Sequence, residues 1–317
     1  MKPGMKPGMK PEMKTEMKTE MKTGMSAAFR CGSIEVMRIK ETLGAAFPPQ
    51  YLLPDLPPEA VERHLGWLAP NHYDEAKKRF VMGTHTWLLR TKHHTILVDT
   101  CIGNHKPRPH SPGFDNLEQP YLERLAQAGF KPEDVDFVLC THLHVDHIGW
   151  NTQLRDGRWV PTFPNAKVIC SVAELKSAEA KARANDPEDD HLAQWQDSLL
   201  PVLEAGLLQS VEGTHELEDG VTIEPTPGHT PGHVVLRTES GGERMLFAGD
   251  LCHHPLQVYY PDTNSRFCED AAVARAMRRK ILAGCVESGA LLAPAHWGAP
   301  HAGRIEANAA NFRIKWP

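Results

Sequence analysis

The chain has 317 residues, of which 41% are hydrophobic and 24% charged, with a formal net charge of -5 and a pI near 6.4. Those values are ordinary for a soluble globular protein. The acidic balance, with no basic stripe interleaved with aromatics, argues against a nucleic-acid partner. No apolar run has the length of a membrane span or the build of a signal peptide, so no membrane partner is expected.

Residues 1–24 repeat a four-residue unit beginning Met-Lys and ending in Gly or Glu, with almost nothing to bury. Such a segment cannot offset its ordering entropy and is expected to be a disordered tail. A start at Met25, with the repeat an artefact of start-codon choice, is preferred to a native basic tail. Residues 25–317 are read as one folded domain. Seven scattered cysteines without a Cys-x-x-Cys pair give no secreted framework and fit a reducing cytoplasm.

Residues 34–40 read as a strand. A proline-rich irregular stretch follows from Phe47 to Pro58, of the kind that forms a lid or a substrate-binding wall. Residues 81–90 and 95–99 read as paired strands, joined at Lys92-His93-His94 with both histidines exposed. Proline and glycine punctuate a helix over 120–129. A strand over 136–140 precedes a hairpin turned at Asp156-Gly157.

The second half repeats this logic. A strand over 167–170 leads into a helix over 172–184, and a further helical stretch covers 191–204. Asp219-Gly220 opens a strand pair. Residues 233–238 and 244–248 form a hairpin across Ser240-Gly241-Gly242. The helix over 269–283 is expected to bury Val273, Met277 and Ile281.

The chemistry concentrates in Thr141-His142-Leu143-His144-Val145-Asp146-His147, directly after the strand over 136–140. Imidazole nitrogen and carboxylate oxygen are ligands for borderline divalent metals such as Zn²⁺. In extended backbone, residues two apart share a face, so His142, His144 and Asp146 can point together while the following turn brings His147 round. One ion cannot easily take all four from so short a loop, which suggests two adjacent ions. Further candidates follow apolar strand-like runs: His229 in Thr226-Pro227-Gly228-His229, Asp250 after Ala248-Gly249, and His296 after Pro294-Ala295.

In this order the motifs resemble the metallo-β-lactamase superfamily from about Arg30 to the C-terminus. The resemblance implies an α/β (α+β) fold, a four-layer αββα sandwich with a binuclear metal site at the sheet edge. It assigns His142, His144 and His229 to one ion, Asp146, His147 and His296 to the other, and Asp250 as the bridge. Asp99, after Ile96-Leu97-Val98, would support the metal loop without binding metal. Two divalent ions per chain are expected, zinc first among them, although ligand type alone does not separate Zn²⁺ from Fe²⁺, Mn²⁺ or Co²⁺.

Ions held this way would lower the pKa of a bridging water and present hydroxide to a carbonyl or phosphoryl centre. No Gly-x-Ser-x-Gly elbow suggests another nucleophile. The carboxylate at Asp250 resembles lactonases of the quorum-quenching type, glyoxalase II thioesterases and the methyl parathion hydrolase group more than true β-lactamases. His144 stands where the flavodiiron branch has Glu.

The expected substrate is therefore a small molecule, a lactone or carboxylic ester, with a phosphotriester or thioester as the alternative. A non-catalytic metal-binding module is a further reading, and a homodimer is the one assembly kept open. Best-known lactonases carry a tyrosine three residues after the bridging Asp. Here that position is His253, so a tyrosine donor is absent unless Tyr259 or Tyr260 substitutes. Asp146 and His253 are the catalytic candidates, with His253 or His254 placed to protonate a leaving group or to contact substrate. His233 is read as a structural partner. Trp87, Trp150 and Trp297 either line an apolar pocket or lie in the core, and Cys101 and Cys252 lie close in sequence to Asp99 and Asp250.

Overall fold

The computed structural model describes residues 29–309 and 311–317, so the repeat and Met25 lie outside the described residues. One sheet is built from β1 (Phe29–Cys31), β2 (Ile34–Ala45), β3 (Tyr73–Asp74), β4 (Arg79–Arg90), β5 (Thr95–Val98), β6 (Phe137–Leu139), β9 (Lys167–Ser171) and β10 (Leu208–Val211). Its order is β1-β2-β4-β5-β6-β9-β10, with β3 on β4 and the run from β5 to β10 parallel. A small hairpin of β7 (Thr152–Arg155) and β8 (Arg158–Pro161) lies between. The second sheet runs in sequence order through β11 (His215–Glu218), β12 (Val221–Pro225), β13 (Val234–Ser240), β14 (Glu243–Phe247), β15 (Leu291–Ala293), β16 (Gly303–Asn308) and β17 (Asn311–Lys315).

Strand alternation decides which residues fill which layer. Trp87 and Leu89, Ile96 and Val98, Leu139 and Ile169 face inward and meet Ile223, Val234, Leu236, Met245 and Phe247 of the second sheet. Their neighbours Leu88, Leu97, Val138 and Val168 face out under Tyr121, Leu125, Leu199 and Val202. On the far side Val235, Leu246 and Leu292 pack against Ile281, Leu282 and Cys285 of the helix Ala271–Ser288. The result is the expected helix, sheet, sheet, helix sandwich.

Two expectations are corrected. The strand expected over 34–40 continues to Ala45, with a register shift between Lys40 and Thr42 at the buried Glu41. That carboxylate accepts from the N–H groups of Ile102 and Gly103, Trp150 Nε1 and Thr84 Oγ1. In the helix Ala271–Ser288, Val273 is exposed and Met277 half-buried, whereas Ala274, Arg278, Ile281, Leu282 and Cys285 are buried. Apolar periodicity missed this stripe because it contains an arginine. Arg278 reaches the carbonyls of Leu251, Pro261 and Thr263 at 2.7–3.0 Å and so satisfies its buried guanidinium.

The loop after β5 carries a second buried polar cluster that nothing in the sequence announced. Arg108 grips Asp197 through two bonds of 2.7 and 2.8 Å, and Lys106 Nζ lies 3.3 Å from the same carboxylate. Burial lowers the Lys106 ammonium to about 8 despite that carboxylate. Removing the carboxylate would leave two buried cations unpaired. Asp197→Ala is therefore expected to lower unfolding free energy by about 3–5 kcal/mol in urea denaturation. A loss under about 1 kcal/mol, the range of exposed pairs, would show the cluster to be incidental.

The sandwich brings four strand ends to one edge. β6 ends into the loop with His142, and β12 ends into the loop with His229. The parallel pair β14 and β15 ends at Asp250 and His296. Strand ends of this kind are where α/β sheets place ligands. Backbone bonds knit the edge: Val234 N–H to the Thr141 carbonyl at 2.8 Å, Ala295 N–H to Gly249 at 3.1 Å, and Gly83 N–H to His296 at 3.2 Å.

Candidate metal centre

Seven side chains from these four loops converge in two groups. His142, His144, His229 and Asp250 form one, and Asp146, His147 and His296 the other, with the potential ligand atoms of each within 4.8 Å of one another. His229 Nε2 lies 3.1 Å from His142 Nε2 and 3.0 Å from His144 Nδ1. Ligands about 2.1 Å from a tetrahedral zinc are separated by about 3.4 Å, so these nitrogens stand close to the spacing one ion would need. Asp250 joins the groups. Its Oδ2 is 3.3 Å from His229 Nε2, and its Oδ1 is 3.4 Å from His147 Nε2 and 2.9 Å from His296 Nε2.

Among the buried side-chain atoms that make no hydrogen bond of acceptable geometry are His147 Nε2 and Asp250 Oδ1, 3.4 Å apart. Imidazole nitrogens and carboxylate oxygens crowded this closely at one point are a donor set that a divalent cation would satisfy. The donor set therefore fits a pair of divalent ions.

The far nitrogens of His147 and His296 are held as ligand histidines would require. His147 Nδ1 is 2.9 Å from Asp99 Oδ2, and Asp99 Oδ1 accepts the Thr141 N–H at 2.7 Å. His296 Nδ1 donates to the Gly83 carbonyl at 2.9 Å. Asp99 thus occupies the supporting place expected of it. His233 does as well: its Nε2 accepts the Asp250 N–H at 3.1 Å, and its Nδ1 pairs with Thr226 Oγ1 at 2.8 Å. Gly249 must be glycine here. Its φ is +46°, and a Cβ would lie 2.6 Å from Thr141 Oγ1 and 2.8 Å from His233 Nε2.

Electrostatics differ between the groups. Burial drives His142 and His229 well below the usual imidazole range and His144 to about 3, leaving their lone pairs free at neutral pH. At His147 and His296 burial acts the same way, but Asp250 with Asp99 or Asp146 outweighs it, raising His147 well up and His296 to about 9. For Asp250, burial is overcome by His296, His147 and His253, which hold the carboxylate well below its usual range.

The centre forms the floor of a cavity of about 400 Å³, within the range of small-molecule sites. His253 lies on that floor, 3% exposed, its Nε2 3.1 Å from Asp250 Oδ2. His254 points away. It bonds the His72 carbonyl and stacks on Phe80, so it is structural and not a substrate contact. Tyr259 and Tyr260 do not replace the missing tyrosine, because their hydroxyls pair with the Ile314 N–H and with His64.

Trp87, Trp150 and Trp297 are core residues and do not line the cavity. Its apolar walls are Phe47, Met82, Phe114 and Phe267, while Glu188, Asp189, Asp190 and His191 add a polar side. The proline-rich stretch supplies Phe47 but buries Leu52, Leu53 and Leu56 in a core of its own. Cys101 and Cys252 are buried and belong to neither group. The thiol near a ligand candidate is Cys268, with Sγ 3.9 Å from His229 Nδ1. Of the turn histidines, His93 is exposed, but His94 is half-buried and pairs with Glu218 at 2.8 Å.

The family model of the metallo-beta-lactamase superfamily matches residues 79–297. An N-acyl homoserine lactonase from a Bacillus species is 29% identical over 175 residues, covering 50% of this chain and 60% of that protein. An N-acyl homoserine lactonase from Bacillus cereus is 32% identical over 124 residues, covering 38% and 41%. The chain thus spans 60% or less of the length of these curated relatives.

Among solved structures, the hydrolase AbOPH in the beta lactamase superfamily superposes with a TM-score of 0.74 at 23% identity, covering 92% of this chain and 96% of that one. The dizinc quorum-quenching lactonase AidC, in complex with a product N-hexanoyl-L-homoserine, gives 0.72 at 22% identity, covering 92% and 97%. At such identities the likeness is one of fold. With the family match spanning more than half of the sequence, this chain belongs to the metallo-β-lactamase superfamily.

Proposed function

We propose that this protein is a binuclear metal-dependent hydrolase of lactones and carboxylic esters. The observation that carries the reading is the pair of abutting ligand groups, joined by Asp250, at the floor of a largely apolar cavity. His142, His144 and His229 would hold one ion, Asp146, His147 and His296 the other, with Asp250 between them. Zinc is the proposed metal, consistent with the donor types and with the dizinc lactonase of similar fold. When bound, such a pair supplies Lewis acidity and a water acidic enough to act as nucleophile near neutral pH.

The chain's own residues supply the rest. Asp99 fixes the ring of His147 and the start of the metal loop. Asp146 lies on the cavity floor, its two oxygens 3.7 Å from His147 Nε2 and 3.6 Å from His296 Nε2. His253 Nε2 lies 3.1 Å from Asp250 Oδ2 on the cavity floor, placed to deliver a proton to a departing alkoxide. Phe47, Met82, Phe114 and Phe267 take the apolar part of the substrate and exclude water. All seven cysteines are unpaired, which supports a reducing cytoplasm as the compartment. Among the described residues no helix is long and apolar enough to cross a membrane.

The test is a panel of lactones, aryl esters, thioesters, phosphotriesters and β-lactams with protein before and after chelation. Lactones and esters with apolar groups should be turned over, chelation should abolish turnover, and added zinc should restore it. Turnover that survives complete metal removal, or β-lactams as the best substrates, would sink the proposal.

A further inference from the structure

Glu174 lies in the first turn of the helix Val172–Ala184, is 4% exposed, and belongs to neither ligand group. Its Oε1 accepts the Leu143 N–H at 3.0 Å, between His142 and His144. Its Oε2 accepts the Thr230 hydroxyl at 2.7 Å and the Gly232 N–H at 3.0 Å, on the loop that carries His229. Ser171, the helix N-cap, accepts the Glu174 N–H and donates to the Gly232 carbonyl at 2.6 Å. The fit is close. A Cβ on Gly232 would stand 2.2 Å from Glu174 N and 2.4 Å from Ser171 Oγ.

The two loops leave different sheets, one after β6 and the other between β12 and β13. A buried carboxylate is costly to desolvate, and three charge-assisted bonds to donors on both loops are what offset that cost. We propose that Glu174 is a positioning residue: one carboxylate clamps the 142–144 segment to the 229–232 segment, so that the imidazoles of His142, His144 and His229 converge on one point. None of its bonds reaches Asp146, His147 or His296, and His147 is held by Asp99 instead. The clamp therefore acts on one ion and not on the other. This inference rests on the metal reading proposed above.

The experiment is zinc affinity of the full chain by competition with a chromophoric chelator, resolving two equivalents. The same titration on His296→Ala assigns each step to its group. Glu174→Gln turns one acceptor into a donor facing existing donors, and Gly232→Ala forces the loop off the helix. Each should weaken the first group's ion by about 10- to 100-fold, the usual effect of losing a partner behind a metal ligand. The second ion should hold as in the parent. Thermal unfolding of the metal-free proteins runs alongside.

If Glu174→Gln does not fold, Thr230→Val removes one of the three donors and should weaken the same step by a smaller factor. The clamp is overturned if both steps shift alike, or if neither shifts while only metal-free unfolding changes. A parent protein that takes up no zinc would overturn the metal reading and the clamp with it. A parent with two ions beside a Glu174→Gln variant of unchanged affinity would overturn the clamp alone.

Discussion

Asp250→Ala is expected to empty the centre of both ions and to lower kcat/KM for esters by about a thousandfold or more. Asp250 Oδ2 is 3.3 Å from His229 Nε2 and its Oδ1 is 2.9 Å from His296 Nε2, so among the described residues it is the one carboxylate that reaches both groups. A Lewis-acid pair is worth several kcal/mol of transition-state stabilisation, and about 1.4 kcal/mol corresponds to a tenfold rate change. His296→Ala, by contrast, removes a ligand from one group and should release one equivalent while the other stays. Elemental analysis after reconstitution reads both variants. Asp250→Asn repeats the experiment with shape preserved, separating lost charge from a cavity left in the floor. Similar, mild losses of metal from Asp250→Ala and His296→Ala would show that Asp250 is not shared.

The cluster of candidate ligands was legible in the sequence because it obeys local rules. His142, His144 and Asp146 alternate after a strand, and His229, Asp250 and His296 each follow an apolar run that ends at the same edge. The sandwich was legible through the resemblance that the motif order carries, and the near-continuous apolar runs of β5 and β9 agree with strands buried on both faces. What escaped was set by tertiary packing. Glu41, Lys106, Arg108, Glu174, Asp197 and Arg278 carry no local signal in the sequence and are all buried, each bonded to partners distant in sequence. Of the cavity walls only Phe47, in the proline-rich stretch, was anticipated. Phe114 and Phe267 lie in loops without periodicity, whereas the tryptophans that looked available are held in the core, their indole N–H groups bonded to Pro294, Glu41 and Cys252. His253 and His254 are adjacent in sequence, and only the fold separates the one on the floor from the one stacked on Phe80.

His253→Phe is expected to divide substrates by leaving group. His253 is buried on the cavity floor with Nε2 3.1 Å from Asp250 Oδ2, while Nδ1 makes no hydrogen bond. The phenyl ring replaces a planar ring of similar size, so packing against Phe267 should survive while the proton is lost. Alkyl esters and lactones expel a poor alkoxide that needs a proton as the bond breaks. Nitrophenyl esters expel a stable phenolate that does not. A positioned general acid contributes about a hundredfold or more, so kcat on alkyl substrates should fall by that factor while nitrophenyl ester rates change little. Zinc content measured on the same preparations guards against a trivial cause, because ion loss would slow both substrate kinds. Full occupancy with equal rate losses on the two kinds would give His253 a packing role against Asp250 and remove it from the chemistry.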